Sequence, residues 1–477
     1  MVRLRARARP LSSKSMPRYG LWSSPFMFVL AVIGSALGLG NIWKFPYLVG
    51  QYGGSAFVLV YLACVAVVGL PLMVAELMLG RRGRHTPIYS LLRIAREEGL
   101  SGGWSVIGWL GSITGILVLS TYSIIGGWSM AYVFRSAAGT FHGLDAVTAA
   151  RQFQELTGDP ERLLAWHTLF VAVTTLVVGR GLRHGIEEAV RWFMPVLLTI
   201  LGILVFYAHG QPSFDRAVEF LLRPDFARLD GYALLAALGH AFFSLSLGVG
   251  AMVIYGAYAP ERVPLLAAAP VAVLADTLIG LLAGLAIFPV VFQAGLDPSA
   301  GPGLIFQTLP LAFGGIPGGQ LTGTLFFAML VFAAWTSAIS MLEPAVTYVM
   351  ERWRLERALA ASLMGVLVWS LGLLSLLSFN LWSHLHPLGD WFTPGRGTFF
   401  DVLIFFVTGL LLPLTGLLTA IFVGWRMSPD TSRIELGGGW GYHLWLILIR
   451  FATPVAVGLL FLQAIGLVDL LLVWEAL

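Results

Sequence analysis

Three glycines and an asparagine fall where an apolar membrane span should run unbroken: Gly34, Gly38, Gly40 and Asn41 lie in AVIGSALGLGNIWKFP, residues 31 to 46. Glycine weakens a helix interior. In hydrocarbon a broken helix persists only where its freed carbonyls find a partner inside the protein or line a polar cavity. A cation is one such partner. The blander reading is that Gly34 and Gly38, spaced as GxxxG, let another helix pack closely. A second stretch, FFSLSLGVG at 242 to 250, again sets glycine and hydroxyls inside an apolar span. Two interrupted helices at corresponding places of two halves point to a transporter site at the membrane midplane.

Other residues carry chemistry in the same apolar background. Asp276 sits inside ADTLIGLLAGLAIF, and an intramembrane carboxylate is a functional hypothesis by default; its alternative is a helix-end cap. Thr336 and Ser337 are adjacent in FAAWTSAISMLEP. Such hydroxyls either bond back to their own helix or serve as hard oxygen ligands of a small cation. Tyr122 in STYSIIGGW reads as packing unless it meets a ligand. Glu76 in PLMVAELMLGRR is expected to contact a broken helix, because a carboxylate at that depth needs a partner.

The elements that position these residues follow from composition. The 477 residues are 57% hydrophobic and 11% charged, with mean hydropathy +0.83, far more apolar than a soluble domain. Runs long enough to span a bilayer fall near 24 to 48, 55 to 79, 105 to 134, 163 to 179, 189 to 208, 232 to 258, 264 to 292, 320 to 350, 358 to 379, 399 to 425 and 442 to 474. That is about eleven helices. Most of the 29 Lys and Arg residues lie in segments on the side of the N-terminus, while Lys44 and Arg450 lie within helices. The N-terminus is therefore expected in the cytoplasm of a cell inner membrane, with Leu477 outside.

The same tally makes the basic start, RLRARAR, a topogenic flank rather than a nucleic-acid arm. Cys64 is the only cysteine, which excludes internal disulfides and cysteine metal sites. No nucleotide loop, HExxH or nucleophile elbow occurs, so no enzyme is expected. His85, His167, His184 and His240 read as packing or loop residues. Gly185 and Pro195 mark where the fifth helix could unwind, and residues 294 to 319, rich in Gly and Pro, read as a lid.

Taken in order, GSALGLGNIWKFPY, PLMVAELMLGRRG, FFSLSLGVG, AGLAIF and TSAISMLEP resemble the neurotransmitter:sodium symporter family, especially its bacterial amino-acid transporters of the eleven-helix kind. The likeness implies an all-α membrane protein with two inverted five-helix repeats and discontinuous helices one and six. The arm would be residues 1–22, the repeats 23–210 and 231–426, and the eleventh helix 440–477. One sodium would be held by Ala36, Asn41, Ser244 and Asp276, and a second by Gly34, Leu37, Ala333, Thr336 and Ser337. Substrate contacts would come from Ser35, Ala36, Leu39, Gly40, Val118, Tyr122, Phe243, Ser244, Ser246, Val249, Ser337 and Met341.

Relatives that carry monoamines place an aspartate at the position of Gly38, so the resemblance implies an amino acid, neutral and hydrophobic, with room for a large or aromatic side chain beside Val249. Chloride-dependent relatives have asparagine and serine where this chain has Asp276 and Gly280, which implies independence of chloride. A fixed carboxylate would repel that ion. The outer gate would pair Lys44 with an acid, but the expected position holds Ile404, leaving Asp401 one turn earlier. The inner gate would use Glu351, Tyr258 and Arg18, since the expected arginine position holds Tyr19. The function implied is sodium-coupled amino-acid symport across the lipid bilayer with no obligatory protein partner. Proton coupling through Asp276, or a transporter-like sensor without flux, are the alternatives.

Overall fold

A computed structural model describes residues 20–298, 303–389 and 397–467. Among them every regular element is helical. Nine helices are long and apolar enough to cross a membrane: Ser55–Gly83, Gly102–Ala137, Pro160–Gly179, Leu182–His209, Leu265–Gln293, Gly319–Trp353, Arg357–Leu377, Phe399–Arg426 and Trp440–Ala464. A tenth is the pair Pro25–Ala36 and Gly40–Gln51, bent by 50° at its break. Length and composition thus yield nine to ten spans rather than eleven. The remaining expected span is divided into Gly231–Ser244 and Ala251–Ala257, each half too short to qualify. In chain order these are called the first to eleventh helices, the divided pair being the sixth.

Local signals start the broken helices where the sequence supplies them. The Ser24 side chain accepts the Met27 N–H and Pro25 occupies the first turn. Asp230 does the same for the sixth, accepting the Ala233 N–H at 2.7 Å. Such caps satisfy donors that a helix start leaves open. The third and eighth helices form the long central pair, and the first and sixth pack beside them. On one face the helix Leu304–Gly314 folds down. Its Phe306 is buried among Trp43, Trp128 and Tyr132, and the Tyr132 hydroxyl donates to its carbonyl at 2.8 Å. On the other face Pro429–Leu436 docks through Glu435 onto Arg81, 3.0 Å away. The fifth helix begins with a π turn at Leu182–Ile186 and then runs unbroken through Pro195. Its start is tied down by Ser23, whose N–H and hydroxyl both reach the Glu187 carboxylate.

Candidate functional site

The first helix stops at Ala36. Leu37, with ψ 87°, still donates to the Ile33 carbonyl at 2.8 Å, and winding resumes at Gly40. The sixth stops at Ser244 and then turns through three left-handed residues, Ser246 (φ 51°), Gly248 (φ 74°) and Gly250 (φ 76°). Glu76 reaches this second break, accepting the Gly248 N–H at 2.9 Å. Each break leaves backbone groups without helical partners.

Between the breaks sits a buried oxygen cluster. The Asn41 side-chain amide donates to the Asp276 carboxylate at 2.7 Å and to its backbone carbonyl at 2.9 Å. The Ser244 hydroxyl donates to Asp276 Oδ2 at 2.7 Å and lies 3.2 Å from Asn41 Oδ1. Asp276 is fully buried in the middle of the seventh helix, so the helix-end cap reading falls. Three of the four residues of the first expected sodium set therefore meet directly. Ala36, the fourth, lies one residue before the break and lines the adjoining cavity.

The second expected set also converges. The Thr336 hydroxyl bridges the Ala333 carbonyl of its own helix (3.0 Å) and the Leu37 carbonyl of the first (3.2 Å). The Ser337 hydroxyl donates to the Ser35 carbonyl at 3.1 Å. Gly34 backs onto Thr336, whose Cβ would lie 3.7 Å from a β-carbon placed there. The first cluster offers carboxylate, amide, hydroxyl and carbonyl oxygens and the second hydroxyl and carbonyl oxygens, all of them donors that a hard cation prefers. Among the described residues no group of three His, Cys, Asp or Glu could hold a metal ion.

A cavity of about 20 Å³, on the scale of a single water, lies beside these clusters. It is lined by ten of the twelve expected substrate contacts: Ala36, Leu39, Gly40, Val118, Tyr122, Phe243, Ser246, Val249, Ser337 and Met341. Ser35 and Ser244 stand behind it. The Ser35 hydroxyl donates to Ser340 at 2.8 Å, and its carbonyl accepts the Ser246 hydroxyl at 2.7 Å. The polar end is formed by Tyr122, whose hydroxyl accepts the Leu39 N–H at 3.0 Å. Gly38 completes it, for a β-carbon there would lie 2.5 Å from Ser337 Oγ and 2.9 Å from the Tyr122 hydroxyl.

The expected gates are only partly assembled. Lys44 Nζ lies 5.3 Å from the centre of the Phe243 ring. Asp401 does not meet it: its carboxylate accepts the Thr398 N–H and hydroxyl, at 3.2 and 2.7 Å, closing a capping box at the start of the tenth helix. On the other face Glu351 is held by His85 (2.8 Å) and Thr86 (2.9 Å). Tyr258 donates to the buried Glu343 at 2.6 Å, and Glu343 also takes Arg357. Trp22 wedges against Tyr255 and Tyr258. Arg18 and Tyr19 lie outside the described residues.

Several neighbours escaped the sequence reading. The Tyr61 hydroxyl lies 3.2 Å from Ser244 Oγ and 3.4 Å from Asp276 Oδ2. Phe242, Leu247 and Leu412 complete the cavity wall. Nothing marks them, being apolar or aromatic residues in apolar spans. Glu343 carried a signal, since a carboxylate inside a membrane helix asks for a partner.

The sequence model described as the sodium:neurotransmitter symporter family matches residues 19–143 and 144–465. An uncharacterized sodium-dependent transporter of Bacillus subtilis, YhdH, is 36% identical over 453 residues, covering 94% of this chain and 98% of that protein. A second uncharacterized sodium-dependent transporter, from Haemophilus influenzae, is 31% identical, covering 93% and 97%. The solved structure of MhsT in complex with L-phenylalanine superposes with a TM-score of 0.83 at 37% identity, over 93% of this chain and 99% of that one.

Proposed function

This chain belongs to the sodium:neurotransmitter symporter family, and from that premise we propose that it carries a neutral, hydrophobic L-amino acid together with sodium, without need of chloride. It is a sodium-dependent, multi-pass membrane transporter and not an enzyme. The observation that carries the finer reading is the pairing of Gly38 with Tyr122. The Tyr122 hydroxyl and Leu39 amide stand bonded to each other at 3.0 Å, beside a glycine that brings no carboxylate of its own. A substrate carboxylate can take both donors, and the apolar walls Val118, Phe243, Val249 and Met341 suit an apolar side chain. MhsT, the structural relative, was solved with L-phenylalanine, which supports a large side chain.

The two oxygen clusters are the proposed sodium sites. One consists of Ala36, Asn41, Ser244 and Asp276, and the other of Gly34, Leu37, Ala333, Thr336 and Ser337. Sodium moving inward lowers its free energy, and each charge crossing 100 mV adds about 2.3 kcal/mol. The breaks let ions and substrate bind together from one side and leave together on the other, with the chain seated in the inner membrane and its N-terminus in the cytoplasm. Asp276 supplies a fixed negative charge beside the ion, and Gly280 offers no hydroxyl for chloride.

The test is uptake of labelled amino acids into proteoliposomes under an inward sodium gradient. Uptake of neutral hydrophobic amino acids is expected to vanish when choline replaces sodium and to persist when gluconate replaces chloride. Flux driven equally by a proton gradient in choline would overturn sodium coupling. Binding without flux would make the protein a sensor.

A further inference from the structure

The eleventh helix, Trp440–Ala464, carries a single charged side chain in its apolar length, Arg450. A guanidinium inside a membrane helix is costly unless something satisfies it. The structure satisfies only part of it. Arg450 Nε donates to the Gly424 carbonyl of the tenth helix at 2.6 Å. Its guanidinium lies 5.8 Å from the Trp425 ring, whose indole N–H donates back to the Arg450 carbonyl at 2.8 Å. Glycine at 424 allows this approach, since a β-carbon there would stand 3.0 Å from Arg450 Cα. These contacts hold the arginine from two sides and, among the described residues, leave Nη1 and Nη2 without a protein acceptor.

The surroundings say what the missing acceptor is. Arg450 is half-buried, Trp425 is 57% exposed, and Phe451 beside it is exposed as well. Exposed tryptophans mark the headgroup level of a membrane. Arg426, the next residue after Trp425, is exposed and pairs with no acid among the described residues. Among the described residues the nearest acids along the chain are Glu435, already paired with Arg81 and Arg82, and Asp430, exposed at the start of Pro429–Leu436. The acceptor required is therefore an anion at the membrane surface. A phosphodiester fits, because guanidinium groups bind phosphate through paired N–H donors.

We propose that Arg450, locked by Gly424 and Trp425 and flanked by Arg426, binds the phosphate of an anionic phospholipid where the tenth and eleventh helices meet, in the leaflet that the basic residues assign to the cytoplasm. The site lies apart from the central cavity and does not depend on which substrate is carried.

The experiment is a thermal unfolding series on the purified full-length protein in detergent. Short-chain phosphatidylglycerol, phosphatidylcholine with the same acyl chains, and inorganic phosphate are titrated in separate arms. Phosphatidylglycerol is expected to raise Tm by several degrees and the other two to leave it unchanged. Arg450→Gln abolishes that rise, Arg450→Lys keeps less than half of it, and Arg426→Gln keeps most of it. An undiminished rise in Arg450→Gln, an equal rise with phosphatidylcholine, or a rise with inorganic phosphate alone would each overturn the lipid site. Should Arg450→Gln fail to fold, Arg450→Lys and Trp425→Phe decide, and a full rise in both sinks the proposal.

Discussion

The two interrupted helices solve one problem by different physics. In the first, no residue from Gly34 to Asn41 has a positive φ, so glycine is demanded there by space. A side chain at 38 would occupy the ground between Ser337 and Tyr122. In the sixth, Gly248 and Gly250 stand in the left-handed region, where a β-carbon costs roughly 1–2 kcal/mol, so glycine is demanded by conformation. One break is shaped around the side chains packed against it, the other around the path of its own backbone. Substitutions in the two should therefore fail differently.

Asp276 ties both breaks together through Asn41 and Ser244, so its neutralisation should do most damage. Asp276→Asn keeps the shape and removes the charge. Sodium affinity is expected to drop at least tenfold, on the order of 1.4 kcal/mol or more, read as the sodium concentration giving half-maximal uptake. An unchanged value would mean the oxygen cluster serves the fold and that the two breaks share no ion.

Gly38→Ala should come next and act on binding. The added methyl contests the position of the substrate carboxylate, so the substrate KM rises about tenfold, the scale of about 1.4 kcal/mol, while Tm stays near that of the parent. Gly248→Ala should show the reverse, with a Tm lower by a few degrees from strain of about 1–2 kcal/mol and a KM that moves less. The pair is measured side by side in uptake and thermal unfolding. If both variants lose affinity equally and neither loses stability, the contrast between space and conformation is wrong.

The breaks, Asp276, Tyr122 and the Thr336–Ser337 pair were legible because each is polar or glycine against an apolar background, where such residues are rare. The same background hid Tyr61, Phe242, Leu247 and Leu412, which differ little from lipid-facing neighbours until the helices are packed. The sequence reads 232 to 258 as one span of about eleven, whereas in the structure the cut after Ser244 leaves halves too short to qualify as a span by length. Asp401 was legible and misread. Thr398 and Asp401 have the three-residue spacing of a capping box, which competes with any role opposite Lys44. The fifth helix shows the reverse limit: a β-carbon at Gly185 would lie 2.0 Å from the Val177 carbonyl. Gly185→Ala would therefore disturb packing before it tested unwinding, and Pro195→Ala is the cleaner probe.

The smallest expected effect falls on the one left-handed residue of the sixth helix's break that is not glycine. Ser246 holds φ 51° and so bears strain, while its hydroxyl donates at 2.7 Å to the Ser35 carbonyl, joining the sixth break to the first. In Ser246→Gly, relief of about 1–2 kcal/mol is set against a lost hydrogen bond of about 0.5–1.5 kcal/mol and the added freedom of glycine in the unfolded chain, about 0.5–1 kcal/mol. These nearly cancel, so Tm should change by no more than a few degrees in either direction. A large fall in Tm would show that the serine bridge outweighs its strain, and that the two breaks stand or fall as one unit rather than as two independent devices.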